Sequence, residues 1–185
     1  MLSTKEAIQK LNAETRDYLT SKQVSTILTE VLGEVKPTTV TSYCRQGLFK
    51  GSKNIDNSWQ IPKLIILNII LNKESVEENY FTVIQLAKKL GISQSPIKRM
   101  INNGELKAEE ITILTSKGIY ISKHQQKLRT LLVLKEKLDT GDFVSRSEVA
   151  KELKLDLIQL PNLENRLPDK DKFVFFKVAY VKRKS

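Results

Sequence analysis

Residues 81–106 read FTVIQLAKKLGISQSPIKRMINNGEL, and the reading of this stretch decides the fold. Thr82 and Gln85 have the spacing of a capping box, and Phe81 before the cap can pack on Leu86 as a hydrophobic staple. Val83, Leu86, Ala87 and Leu90 then share one face at helical spacing, and Gly91 supplies the backbone freedom that ends the helix. Gly91-Ile92-Ser93 is the turn. A second helix is expected from about Ser95, with Pro96 tolerated in its first turn. Ile97, Met100 and Ile101 face the first helix, and Lys98, Arg99 and Asn102 face away. That outer face is basic and amide-bearing, as a helix entering the DNA major groove needs.

The same grammar occurs three times. Leu19-Thr20-Ser21-Lys22-Gln23-Val24, Phe81-Thr82-Val83-Ile84-Gln85-Leu86 and Val144-Ser145-Arg146-Ser147-Glu148-Val149 each place an apolar staple, a hydroxyl cap, a reciprocal Gln or Glu and a second staple in register. A small residue and a leucine follow at matching offsets: Ser25 and Leu28, Ala87 and Leu90, Ala150 and Leu153. Three related units recur with a period of about sixty residues, the size of small independent modules. Their expected limits are 1–79, 80–141 and 142–185, the last a degenerate copy.

These residues resemble the winged helix-turn-helix of the mercury-resistance (MerR) regulators and of phage and transposon excisionases. The first unit matches through Leu19-Thr20, Leu28, Thr39-Val40, Tyr43, Gly47-Leu48 and Trp59-Gln60-Ile61-Pro62. The second matches through Phe81-Thr82, Leu90-Gly91-Ile92-Ser93, Ile97, Gly104-Glu105-Leu106 and Ile119-Tyr120-Ile121. The resemblance covers roughly 18–63 and 80–122; the third unit departs from it at Leu160-Pro161, where no Gly-x-Leu follows. It implies a mainly α chain with small β-hairpin wings (α+β), built as tandem winged helix-turn-helix modules, and it implies binding to double-stranded DNA. The residues nominated for contact are Thr39, Thr41, Ser42, Arg45 and Gln46 on the first reader helix, with Lys50 and Lys53 near the tip of its hairpin. In the second unit they are Ser93, Gln94, Ser95, Lys98, Arg99 and Asn102, with Lys117 at the tip of a hairpin turning at Ser116-Lys117-Gly118.

Charge agrees with a polyanionic partner. The 185 residues carry a net charge of +10 with a pI near 9.6. The excess is uneven: residues 80–141 hold eleven Lys/Arg against five Asp/Glu, residues 1–79 ten against nine and residues 142–185 ten against seven. A single cysteine, Cys44, excludes an intrachain disulfide and a Cys-based zinc site, and no secretory signal opens the chain, so a cytoplasmic, nucleoid-associated protein is expected. His124, the only histidine, has no ligand partner at metal spacing and reads as a surface residue.

The remaining segments read as packing elements. Leu2 to Tyr18 is expected to be an amphipathic helix, with Ala7, Ile8 and Leu11 on one side. Thr29 to Pro37 adds about five residues to the first unit's turn relative to the second. Phe49 to Pro62 should be a hairpin with Trp59 and Ile61 returning to the core, and Gly51, Asn54, Asp56 and Asn57 providing the turn. LIILNIIL within Lys63 to Lys73 is apolar almost all round and far short of the roughly 20 residues needed to span a bilayer, so it should be buried or pair with a copy of itself. Ser75 to Asn79 reads as an acidic connector. The leucines from Leu128 to Leu138 form an intrachain packing stripe or, less in keeping with their short run, a dimer seam. KFVFFKVAYV reads as one long strand covered on both faces, before a basic tail Lys182-Arg183-Lys184.

No Gly-rich phosphate loop, paired-carboxylate motif, Cys/His dyad or metal cluster supports catalysis, so neither an enzyme nor a cofactor is expected. The expected role is an accessory or regulatory DNA-binding factor, of the excisionase, replication, partition or repressor kind. The competing class is a protein-interaction adaptor using the same units as scaffold, with self-association through 64–71, 128–138 or the third unit; RNA binding ranks below both because stacking aromatics are scarce. If both units read one duplex in cis, inserting about half a helical turn of DNA between the two recognised segments should abolish coupled binding, and a full turn of roughly 10 base pairs should restore part of it. Equal affinity for all spacings in a gel-shift series would sink that expectation.

Overall fold

The computed structural model describes residues 3–153, 172–175 and 178–182. In chain order, α1 (Thr4–Ala13) precedes β1 (Tyr18–Thr20), α2 (Ser21–Leu32), α3 (Pro37–Arg45), β2 (Lys53–Ile55), β3 (Ser58–Pro62) and α4 (Lys63–Asn79). The succession returns as β4 (Tyr80–Thr82), α5 (Val83–Leu90), α6 (Gln94–Asn102), β5 (Ala108–Ile113), β6 (Ser116–Ser122) and α7 (Gln126–Asp139). A third passage holds β7 (Phe143–Ser145), α8 (Arg146–Leu153), β8 (Lys172–Phe175) and β9 (Val178–Lys182).

Each passage builds a three-stranded sheet with its last strand in the centre: β1-β3-β2, β4-β6-β5 and β7-β9-β8. The chain is therefore mixed helix with small antiparallel sheets, in line with the α+β expectation. In the first sheet Leu19 lies opposite Ile61, and both are buried. In the third, Val144 lies opposite Val181 and Ser145 opposite Tyr180.

The three capping boxes form. Thr20 accepts from the Gln23 amide while Gln23 Oε1 receives the Thr20 amide at 2.9 Å, and Thr82 and Gln85 repeat this at 2.9 Å. Glu148 Oε2 likewise takes the Ser145 amide at 2.8 Å. A fourth box, Ser3 with Glu6, opens α1 and was legible in the same spacing. The backbone and hydroxyl of Ser3 hold the Glu6 carboxyl below its ordinary pKa.

The chain divides into two compact units. Unit 1 is Met1–Tyr80 together with Ile111–Gly118, and unit 2 is Phe81–Glu110 together with Ile119–Ser185. In unit 1, Ala7 and Leu11 of α1, Val24, Leu28 and Val31 of α2, Val40 and Cys44 of α3, Phe49, Ile61, and Ile66 and Ile70 of α4 form one apolar cluster. In unit 2, Leu86 and Leu90 of α5, Ile97 and Met100 of α6, Leu106, Ile121, and Leu128 and Leu131 of α7 form the other. Phe175 of β8 is buried in this second cluster and Tyr180 of β9 packs against it, so the third passage shares unit 2's core instead of standing as a module of its own.

Several local expectations change. The first helix ends at Ala13 and not Tyr18, because Tyr18–Thr20 must extend to pair with β3. α2 runs through Thr29 to Leu32 and Gly33, at φ 92°, stops it, so the connection to α3 is short. α4 continues to Asn79, making the acidic connector its last turns, and it is not buried all round: Leu64 is 63% and Leu71 43% exposed. A helix can press only one side against one core, and here that side is centred on Ile66 and Ile70. KFVFFKVAYV forms two paired strands, with Phe175 opposite Val178, and Val174 is 63% exposed, so its faces are not both covered. The Leu128 to Leu138 row packs within unit 2. The expectations for Leu160-Pro161 and the tail at Arg183-Lys184 lie outside the described residues.

Phe175 is 4% exposed, so Phe175→Ala should destabilise unit 2 by about 3 to 5 kcal/mol through lost transfer energy and the cavity left behind. Urea unfolding followed by backbone circular dichroism measures this, and an unchanged midpoint would detach β8 from unit 2's core.

Candidate nucleic-acid interface

The α5–α6 turn is made by Gly91, at φ 68°, whose amide bonds back to the end of α5 while the Ile92 amide donates to the Ala87 carbonyl at 3.0 Å. This left-handed cap is the one glycine is suited to, because it lacks the Cβ that would clash. Ala87 is buried and small, which lets the two helices approach, and Ile97 and Met100 seat α6 on Leu86 and Leu90. α6 starts one residue earlier than expected, at Gln94, with Ser93 in the capping position but its hydroxyl making no cap bond. Past the helix, Gly104 takes φ 72° and Leu106 drops into the core, which fixes the exit towards β5. The Gln125 side chain then clamps both backbone groups of Lys107 at 2.6 Å.

This frame turns Ser93, Gln94, Ser95, Lys98, Arg99 and Asn102 to solvent, all six exposed. Among the described residues Lys98 and Arg99 have no carboxylate partner, and neither do Lys88 and Lys89 in the last turn of α5. The α5 lysines were not nominated from sequence, although a Lys-Lys pair in a helix's last turn was a readable signal. Unit 2 as divided above holds twenty Lys/Arg against twelve Asp/Glu, and unit 1 eleven against nine. Unpaired cations on one helix face raise the local positive potential that steers polyanions.

The corresponding helix of unit 1 is poorer in free chemistry. Its turn is held by the Ser25 and Thr29 hydroxyls, which donate to the Val35 carbonyl at 2.6 and 3.1 Å. On α3, Arg45 is exposed, while Thr39, Thr41 and Ser42 are half-buried. Thr41 donates to the Pro37 carbonyl at 3.1 Å, and Gln46 Nε2 donates to Ser42 Oγ at 3.0 Å. The sequence match of Gly47-Leu48 to Gly-x-Leu shifts by one: Phe49, buried and edge-on to Tyr43 at 5.8 Å, occupies the place of Leu106, and Leu48 is 43% exposed.

The hairpin ends differ from expectation. Asp56 and Asn57, at φ 48° and 60°, form the two-residue loop between β2 and β3, and Lys53 lies down the strand opposite Gln60, with Lys50 before it. Asp and Asn tolerate φ > 0, which is why they and not the lysines take the loop. Phe49 belongs to the core and not to the hairpin. The second loop is Leu114-Thr115, and Lys117 lies on β6. Leu114 takes φ 59°, uncommon outside glycine, while its side chain packs on the unit 1 cluster and Thr115 Oγ1 meets Tyr43 Oη at 3.1 Å. Trp59 packs at the edge of the unit 1 cluster.

The remaining chemistry is sparse. Cys44 is buried, and burial pushes its thiol pKa up. Among the described residues no three His, Cys, Asp or Glu side chains could hold a metal ion, and no helix is long and apolar enough to cross a membrane.

Gly91→Ala should cost about 1 to 2 kcal/mol, because an L residue is strained in the left-handed region. The added Cβ would also meet Lys135 Cε at 3.3 Å, a flexible chain that can give. Denaturant midpoints test this; equal stability would mean the turn adopts another conformation. No protein-family model, curated protein or solved structure matches this chain.

Proposed function

We propose that this chain is a sequence-specific double-stranded DNA-binding protein built from tandem winged helix-turn-helix units, acting on the nucleoid as an accessory or regulatory factor. The observation that carries the reading is the outward face of α6, where Lys98, Arg99 and Asn102 are exposed and the two cations lack carboxylate partners among the described residues. Arginine forks onto guanine, asparagine onto adenine, and lysine neutralises phosphate, so the face holds the chemistry of both specificity and affinity. Lys88 and Lys89 add phosphate contacts beside it. Unit 1 contributes in cis through Arg45, with a smaller share of the affinity, since its hairpin ends in Asp56, which repels phosphate.

A second reading has one observation in its favour. Unit 1 exposes Leu48, Leu64 and Leu71, which suits a protein-interaction adaptor better than a phosphate surface.

Salt separates the two. With about six phosphates contacted, log K for a duplex should fall with log salt at a slope of roughly −5. Arg99→Ala should weaken the preferred duplex by about 1 to 3 kcal/mol. Fluorescence anisotropy across a salt series measures both, and affinity indifferent to salt would favour the adaptor.

A further inference from the structure

The side of α4 turned away from the unit 1 core faces solvent. Leu64, Asn68, Leu71 and Ser75, at spacings of four, three and four, form one ridge there that is exposed along its length. None of the four is charged. Leu48, also exposed, shares a groove with Asn68 and Asn72 beside the ridge, so apolar surface continues off the helix. Contiguous exposed apolar surface marks a site of association, and the polar groups within it and beside it decide what associates. Asn68 has no hydrogen bond among the described residues. An amide is its own complement, because across a two-fold axis each side chain gives one N–H and accepts one.

We propose that two copies of this chain associate through α4, antiparallel, about a two-fold axis beside Asn68. Setting Leu64 against Leu71 of the second copy makes that contact twice and puts the axis between Leu67 and Asn68. The two Asn68 side chains then lie on the same side of the seam, about 1.5 Å apart along the helix direction. Lys63 and Glu74 lie on the other side, roughly 90° and 70° round the helix from the Leu64–Leu71 line. In this register each Lys63 stands about 3 Å along the helix direction from Glu74 of the second copy, so the ion pair forms twice. Glu74 has no partner of its own among the described residues, and Lys63 gives one of its three protons to the Glu14 carbonyl at 2.7 Å and keeps two. A parallel pair would instead set lysine beside lysine and glutamate beside glutamate and align the helix dipoles. Charge therefore selects the antiparallel arrangement. The amides fix the register, since a slip of one turn parts them.

Sedimentation velocity of the full chain across a concentration series reads the association. The wild type should pass from one chain of 21.2 kDa to two as concentration rises. Leu64→Glu and Leu71→Glu, at exposed positions and with the fold checked by circular dichroism, should each raise the dissociation constant at least about tenfold, because the two-fold buries the new charge twice. Cysteines read the orientation. Asn68→Cys should link to its copy on oxidation with diamide, whereas Ser75→Cys, about 22 Å from its copy along the helix direction, should not. Cys44 is buried and stays out of the reaction. A wild type that is monomeric at every concentration, or a dimer that tolerates both glutamates, overturns the proposal and leaves the ridge to a different protein. Linking through Ser75→Cys as readily as through Asn68→Cys overturns the antiparallel register. None of these readouts involves DNA, so the DNA-binding reading stands or falls apart from them.

Discussion

The structure depends on a residue that does two things at once. Thr20, Thr82 and Ser145 are each the last residue of a strand and the cap of the helix that follows. The backbone of Thr20 pairs with Gln60 in the sheet while its side chain accepts from the first turn of α2, and Ser145 stands between Tyr180 and Glu148 in the same way. With no residue between strand and helix, the angle at which the helix leaves the sheet is set locally. Each box is worth only about 1 kcal/mol, but it removes the freedom that would otherwise let three-residue strands drift out of register. In the first sheet the buried Leu19–Ile61 pair and the two-residue loop at Asp56-Asn57 hold the same register.

That local character explains what could be read in advance. The boxes, the α5–turn–α6 pair and the buried positions of Leu86, Leu90, Ile97 and Met100 follow from spacing over a few residues, and spacing survives in a bare sequence. The hairpin ends depended on something else. Asp56-Asn57 lay within the expected turn and forms the loop, whereas Leu114 takes φ 59° where its side chain packs against a distant apolar cluster, which no local rule encodes. The shift of Gly47-Leu48 has the same origin. Phe49 and Leu48 are both apolar, and only packing against Tyr43 decides which turns inward. Likewise, a run such as LIILNIIL says that a helix is apolar without saying which stripe finds a core.

Candidate contact residues were legible as types and less so as free groups. Ser93, Gln94, Ser95, Lys98, Arg99 and Asn102 lie exposed as expected, because a short amphipathic helix with a clear buried stripe leaves only one other side. The polar face of α3 looked equivalent in sequence, yet Thr41 and Gln46 are already bonded within the helix. A polar side chain satisfied at home must break that bond before meeting a base, which subtracts from any gain in binding.

The turns before the two helices differ as well. Ala87 needs no partner, and a single glycine closes α5 onto α6, so unit 2 leaves its polar side chains to the surface. In unit 1 the connection is one residue longer, and the buried Ser25 and half-buried Thr29 hydroxyls are committed to the Val35 carbonyl to hold it. Net charge runs the same way, with the excess of basic residues gathered in the unit that holds the exposed polar face of α6. Two copies of one succession of elements therefore differ in what they leave exposed, one a basic and amide-bearing helix face and the other a set of leucines.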